Sequence, residues 1–253
     1  MENPKFTPDR ILYEDSDLIV VNKVAGELVV SDRWKLEKRI LLHAVGEYLR
    51  EQGHQLDASG RDLYAVHRLD RDTSGAVVFA KHRESHRTLS RAFEERGVEK
   101  LYWLLTCGCP PWRQRQVDLP LSRREGKRGK GRGYVDLKHG KPAQTEFNVL
   151  RCFGDIAWLE AKPLTGRLHQ IRLHAQAEGF PLLNDPHYAQ ADWRSQYHAL
   201  ALQDFKRIPL HARRLSFAHP STQATVEIVA PLVDDIGPFM RGLAKRSRES
   251  VEF

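Results

Sequence analysis

Apolar positions along the chain follow two rhythms, one of short alternating or continuous runs and one of helical spacing. Ile11 to Glu14 and Leu18 to Lys23, separated by the turn-forming Asp15-Ser16-Asp17, predict a β-hairpin. Between Glu37 and Arg50, apolar residues Ile40, Leu41, Ala44, Val45, Tyr48 and Leu49 recur at helical spacing, and Gly53 supplies a stop. Leu63 to Val66 and Ala76 to Ala80 read as short apolar strands. His82 to Arg96 reads as a helix with Leu89, Ala92 and Phe93 inward, ended by Gly97. Strands follow at Lys100 to Thr106, Gln144 to Leu150, Ile156 to Ala161, Leu210 to Phe217 and Thr225 to Val229. Helices are expected at Leu168 to Ala177 and, as a basic closing element, Ile236 to Arg248. Strands outnumber helices and short turns join most neighbours. The expected fold class is therefore α+β, with a mixed, mostly antiparallel central sheet flanked by helices. Neither an internal repeat nor a long linker interrupts the pattern, so residues 1–253 are expected to form one domain.

Charge adds a direction. The 253 residues carry a formal charge of +7 and a pI near 9.4, concentrated between Arg113 and Lys141. Such a field favours polyanions. Within it, residues 122–141 are rich in Gly, Lys and Arg and poor in apolar residues, which predicts an exposed, mobile basic loop. No apolar run approaches the roughly 18 residues a spanning helix needs. Cys107, Cys109 and Cys152 are too few and too irregular for a disulfide framework, and no charged-apolar-small leader opens the sequence. A reduced, cytosolic protein is expected.

The chemistry concentrates in two stretches. In His67-Arg68-Leu69-Asp70-Arg71-Asp72-Thr73-Ser74-Gly75, one carboxylate stands between Arg68 and Arg71, just before a turn and a strand. An ordinary turn aspartate would explain Asp70 alone. The arginines change the balance, because opposite charge holds a carboxylate ionised and able to act as base or nucleophile. In Leu164-Thr165-Gly166-Arg167-Leu168-His169-Gln170-Ile171-Arg172-Leu173-His174, a helix starting near Arg167 would offer its first amides to a phosphate. Arg172, five positions on, would face elsewhere, so one arginine could meet phosphate while the other pairs with a buried carboxylate. Other motifs are weaker. His82 and His86 lack the order of a metalloprotease box, and Cys107-Gly108-Cys109 has no second pair, so no metal is expected. The Gly126 to Gly133 run does not end as a P-loop, and Ser74 has no nucleophile elbow.

The pattern His-Arg-Leu-Asp-x-x-Thr-Ser-Gly resembles the signature of the RluA-type RNA pseudouridine synthases. Thr165 to His174 is similar to that family's second stretch. Leu182 to Tyr188 resembles its Pro-x-x-Gly-Asp-x-x-Tyr, Leu210 to Pro220 its Leu-His-Ala-x-x-Leu-x-Phe-x-His-Pro, and Lys100 to Tyr102 its Lys-x-Tyr. These matches stand in the family's order and, from Leu12 to Pro220, cover most of the chain. The chain departs from the pattern at Val24, where Pro is usual and a looser turn is expected. It departs also at Asn184 and Ala189, where Gly is usual. The family often carries an N-terminal S4 RNA-binding domain, and a first strand near Ile11 leaves no room for one.

The resemblance implies a catalytic cleft across the sheet. There Asp70 is the catalytic aspartate, Tyr102 packs against the target base, Arg172 pairs with Asp70, and Arg68 helps replace a flipped nucleotide. Breaking, turning and remaking a glycosidic bond requires the base outside its stack, and an aromatic face offers about 1–3 kcal/mol of stacking. The aspartate could attack the base, attack the sugar or remove a sugar proton; the residues do not choose. An isomerisation needs no cofactor. RNA contacts are expected from Arg68, Arg71, Arg167, His169 and Gln170, and from Arg123, Arg124, Lys127, Arg128, Lys130 and Arg132. The expected partner is a structured stem-loop of transfer or ribosomal RNA, bound by a monomer. The rival readings are a non-catalytic RNA-binding protein with the same fold, in which Asp70 would only repel phosphates, and a hydrolase of an anionic small molecule.

Overall fold

In the computed structural model, residues 5–31, 40–54, 63–124, 131–189, 205, 207–232 and 235–246 are described. In chain order their strands and helices are β1 (Ile11–Glu14), β2 (Leu18–Lys23), α1 (Leu41–Glu51), β3 (Tyr64–Ala65), β4 (Ser74–Ala80), α2 (Arg83–Glu94), β5 (Glu99–Cys107) and β6 (Gln114–Asp118). There follow β7 (Leu121–Arg124), β8 (Arg132–Val135), β9 (Gln144–Phe153), β10 (Ile156–Pro163), α3 (Gln170–Ala177), β11 (Leu210–Ala218), β12 (Thr225–Val229) and α4 (Ile236–Arg246). The chain divides into two compact units, residues 1–100 with 212–231 and residues 101–211 with 232–253.

In the first unit the strands run in the order β1-β2-β4-β11-β12, with β3 also on β4. The β1–β2, β2–β4, β3–β4 and β11–β12 ladders are antiparallel. Every residue of β2 and β4 is buried, as expected of strands covered on both faces, whose sequences lose the alternation of a half-exposed strand. Leu89 of α2, with Ala92 and Phe93 beside it, packs among Leu18, Val20, Val78, Phe217 and Ile228. Three turns of this unit are fastened by one polar knot. Asp17 Oδ1 accepts hydrogen bonds from Ser85 Oγ at 2.6 Å and Ser221 Oγ at 2.8 Å and meets His82 Nε2 at 2.9 Å. Asp15 Oδ2 meets Tyr13 OH at 2.7 Å and His219 Nε2 at 2.8 Å. His82 is thus the N-cap of α2 and a partner of Asp17, and His86 stacks on Tyr64; neither is an idle surface residue.

In the second unit the order is β5-β10-β9-β6, antiparallel throughout. A core of Leu104, Val117, Phe147, Leu159, Ile171 and Leu210 lies between these strands and α3, and α4 adds Ile236, Met240 and Leu243 to a second cluster with Leu105, Phe153 and Ile156. The antiparallel strands and the helices of each unit match the expected class. No described helix is long and apolar enough to cross a membrane.

Three expectations are corrected. Within the segment 122–141, the described residues that flank 125–130 form strands rather than loop: β7 and β8 pair antiparallel, Leu121 with Val135 through Arg124 with Arg132. Two apolar residues at the foot of the hairpin suffice, because Leu121 packs with Ala143 and Leu173, and Val135 lies against them. Lys127, Arg128 and Lys130 lie outside the described residues, as do Glu37 to Arg39 and Ser247 to Arg248 of the expected helices. Helix α3 begins at Gln170, three residues after Arg167. Cys109 and Cys152 form a disulfide across 43 residues, with Cα atoms 5.8 Å apart; strand register, invisible in residue spacing, brings the chain just past β5 to the end of β9. Cys107 is the free thiol, and burial pushes its pKa up to about 12.

Candidate active site

Asp70 sits on the connection between β3 and β4. Strand β3 is shorter than predicted because the His67 ring replaces backbone: its Nε2 accepts the Val78 N–H at 3.0 Å, where a continuing β3 would have paired. The chain therefore leaves the sheet at Val66. The imidazole stacks on Phe93 of α2, centroids 4.5 Å apart and 13° from parallel. Burial, more than the nearby Lys100 ammonium, pushes its pKa down to about 3, so the acceptor nitrogen stays unprotonated at neutral pH.

Beyond His67 the loop is pinned from beneath. Asp70 O accepts Thr73 N–H at 3.1 Å, closing a turn. Lys23, fully buried, donates from Nζ to Arg71 O at 2.8 Å, Thr73 O at 2.6 Å and Val24 O at 3.1 Å. An ammonium carries three N–H donors, and each meets a carbonyl. Gly26 N–H adds a bond to Arg71 O, and Arg71 Nε returns one to Gly26 O at 3.1 Å. The turn expected to loosen at Val24 is thus held at both ends. The motif's glycine has its own cause: at φ +113°, a Cβ on Gly75 would fall onto the backbone of Ala212. Asp70 is half-buried, while Arg68 and Arg71 are exposed.

The second constellation lies wholly in the other unit. Arg172, 5% exposed, makes a bidentate pair with the buried Asp185, Nε to Oδ2 at 2.6 Å and Nη2 to Oδ1 at 2.7 Å. Asp185 also accepts the N–H groups of His187 and Tyr188, and the Tyr188 ring underlies the guanidinium at 4.9 Å. Arg172 is therefore clamped by edge and by face. Asn184 stands in the left-handed region at φ 56°, a conformation asparagine tolerates better than most residues, which accounts for its place where the motif usually has Gly.

His169 also has φ 56° and precedes α3; its Nδ1 lies 2.7 Å from Tyr188 OH. That hydroxyl accepts Gly133 N–H at 3.1 Å, linking the β7–β8 hairpin to the Arg172 clamp. Arg167 is not part of a helical first turn: its N–H goes to Gln170 Oε1 and its Nε to Pro142 O. Gln170, expected to contact RNA, is buried and internally committed, accepting also from Thr165 Oγ1 and donating to Gln144 O and Thr145 Oγ1. Its role is to fasten the start of α3. Tyr102 lies in β5 opposite Ala161, half-buried. Arg123, Arg124 and Arg132 are exposed on the hairpin.

Sequence reasoning missed Asp185 and Tyr188 as the partners of Arg172, and Lys23 as the anchor of the Asp70 turn. A buried lysine looks polar in sequence, and nothing in its spacing points to a loop 48 residues away. Among the described residues, one group has metal-ligand types in reach, Asp15, Asp17 and His219 within 4.8 Å. Its donor atoms are those of the polar knot and already bind protein hydrogens.

A family model described as RNA pseudouridylate synthase matches residues 17–177. The ribosomal large subunit pseudouridine synthase C of Vibrio vulnificus (strain CMCP6) is 35% identical over 240 residues, covering 93% of this chain and 69% of the relative. The protein of that name from Escherichia coli O157:H7 is 35% identical over 228 residues, covering 90% and 68%. Among solved structures, human RNA pseudouridylate synthase domain containing 4 superposes with a TM-score of 0.74 at 24% identity, over 93% of each chain. Human RNA pseudouridylate synthase domain containing 1 gives 0.65 at 24%, over 96% of each. These last two carry the fold.

Proposed function

Because the chain belongs to the RNA pseudouridylate synthase family, isomerases that act on RNA, we propose that it converts one uridine of large-subunit ribosomal RNA to pseudouridine, with Asp70 as the catalytic aspartate. The relatives' substrate supports the choice of RNA. The observation that carries the assignment of Asp70 is the loop around it, held by Lys23 Nζ at the carbonyls of Arg71 and Thr73. A reacting carboxylate must be kept within a fraction of an ångström of its target, and a turn pinned by a buried ammonium supplies that rigidity.

In the reaction the N1–C1′ bond of the uridine breaks, a C5–C1′ bond forms, the C5 proton leaves, and N1 gains a proton. The base must leave its stack first. In this reading Tyr102 supports the extruded uracil, and Asp185 and Tyr188 hold the Arg172 guanidinium in a fixed orientation. Arg68 and Arg71 meet the flanking phosphates. No redox change or external group enters the balance.

The test is tritium release. Large-subunit ribosomal RNA transcribed with uridine tritiated at C5 is incubated with the wild-type protein and with Asp70→Asn. Release by the wild type alone, mapped to one position, is expected. Release by both variants removes Asp70 from the mechanism. No release by either, with RNA still bound, leaves a non-catalytic binder.

A further inference from the structure

Cross-strand register divides the β7–β8 hairpin into two faces. Leu121, Arg123, Gly133 and Val135 share one, and Ser122, Arg124, Arg132 and Tyr134 share the other. The first is docked. Leu121 is buried against Leu173 of α3, and a Cβ on Gly133 would come within 2.7 Å of Leu173 Cδ1 and 2.9 Å of Leu168 O. Tyr188 OH holds Gly133 N–H from the same side. The second face must therefore point away from α3.

An outward face of a two-stranded ribbon should be polar, yet it carries Tyr134, 38% exposed. Arg124 lies over that ring, its Cζ 5.2 Å from the centroid. Arg124 is also directly opposite Arg132, and like charges at paired positions disfavour the ribbon. Among the described residues neither arginine has a carboxylate partner. Asp136, at the foot of the hairpin, accepts from Ser122 Oγ at 2.9 Å, from the N–H groups of Lys138 and His139 and, at 3.5 Å, from Tyr134 OH, which fixes the hydroxyl end of the tyrosine and leaves its ring on the outward face. The outward face thus carries an exposed aromatic ring together with two guanidiniums that have no carboxylate partner among the described residues. It has the composition of a single-strand nucleic-acid contact, in which a π-face takes a base and cations take the phosphates.

We propose that this face is a stacking site for one unpaired nucleotide of the RNA, with Tyr134 holding the base and Arg124 and Arg132 the adjoining phosphates. The proposal rests on the reading that RNA is the substrate and adds a contact outside the Asp70 and Arg172 constellations. Because the opposite face is tied through Tyr188 to the Arg172 clamp, a strand held here is held in register with that clamp.

The test is fluorescence anisotropy with a labelled single-stranded 20-mer of oligouridylate, titrated with the full chain at several salt concentrations. Tyr134→Ala should weaken binding about 5- to 150-fold, with the slope of log affinity against log salt unchanged, because no charge is removed. Tyr134→Phe should bind like wild type. Arg124→Ala and Arg132→Ala should each weaken binding and flatten the slope by about 0.7. Thermal unfolding of each variant checks the fold. Three results overturn the site: wild type that does not bind the probe, Tyr134→Ala within twofold of wild type, or Tyr134→Phe as impaired as Tyr134→Ala. The assay involves no turnover. A protein that binds through Tyr134 but releases no tritium ends the isomerase reading and leaves the site standing; an active enzyme whose affinity ignores Tyr134 does the reverse.

Discussion

Several side chains carry stability that depends on their protonation state or partner. His67 has a folded pKa near 3 against an unfolded value of 6.5. The unfolded chain therefore binds the proton more tightly, and the stability from the neutral ring is present above pH 6.5 and lost as pH falls towards 3. His174, lowered chiefly by burial, acts with the same sign. Asp15 and Asp17 are held below the ordinary carboxylate range because hydrogen bonds outweigh desolvation, so their contribution fades only at still lower pH. Urea unfolding of wild type should thus lose stability between about pH 6.5 and 4, and His67→Gln should flatten that decline. An unchanged profile would remove His67 as its source. Arg172→Ala leaves the Asp185 carboxylate buried without its bidentate partner, which should cost about 3–5 kcal/mol of unfolding free energy. Asp185→Asn, which keeps volume and one acceptor, should cost less, and equal losses would show that packing rather than charge dominates the site.

Secondary-structure elements here are set by local exchange of hydrogen-bond partners as much as by apolar period. Strand β3 ends where an imidazole takes over the Val78 N–H, and α3 starts where Gln170 reaches back to the Arg167 N–H. The β7–β8 hairpin exists because one face fits α3 without a side chain at position 133. Gly133→Ala should therefore undock it, at about 1–3 kcal/mol for the overpacked contact. Amide exchange at Leu121 and Val135 should quicken while the amides of β2 and β4, in the other unit, keep their protection. Global loss of protection would mean the hairpin is part of the cooperative core.

Across the molecule, a charge of +7 makes RNA affinity a function of ionic strength. If Arg68, Arg71, Arg124 and Arg132 each meet a phosphate, log affinity should fall with log salt at a slope of about −3. A slope near zero would assign binding to stacking and shape alone. Long-range charge speeds encounter without selecting sequence, which needs contacts to the bases themselves.

Most strands, the four described helices and the motif order were legible in the chain, because a strand covered on both faces or a helix with one apolar stripe writes its period directly into residue order. The ordered motifs were equally local, so the enzyme family and the prominence of Asp70 could be read without coordinates. What could not be read is every partnership between distant residues. Lys23 beneath Arg71 and Thr73, Asp185 against Arg172, Tyr188 against Gly133, and Cys109 with Cys152 all depend on strand register and helix docking. The basic hairpin looked like a loop because its order comes from one glycine fitting against α3 and two apolar residues at its foot. Local pattern records which face each residue shows; which residue it meets across the fold is a property of packing, and packing is where this site acquires its rigidity.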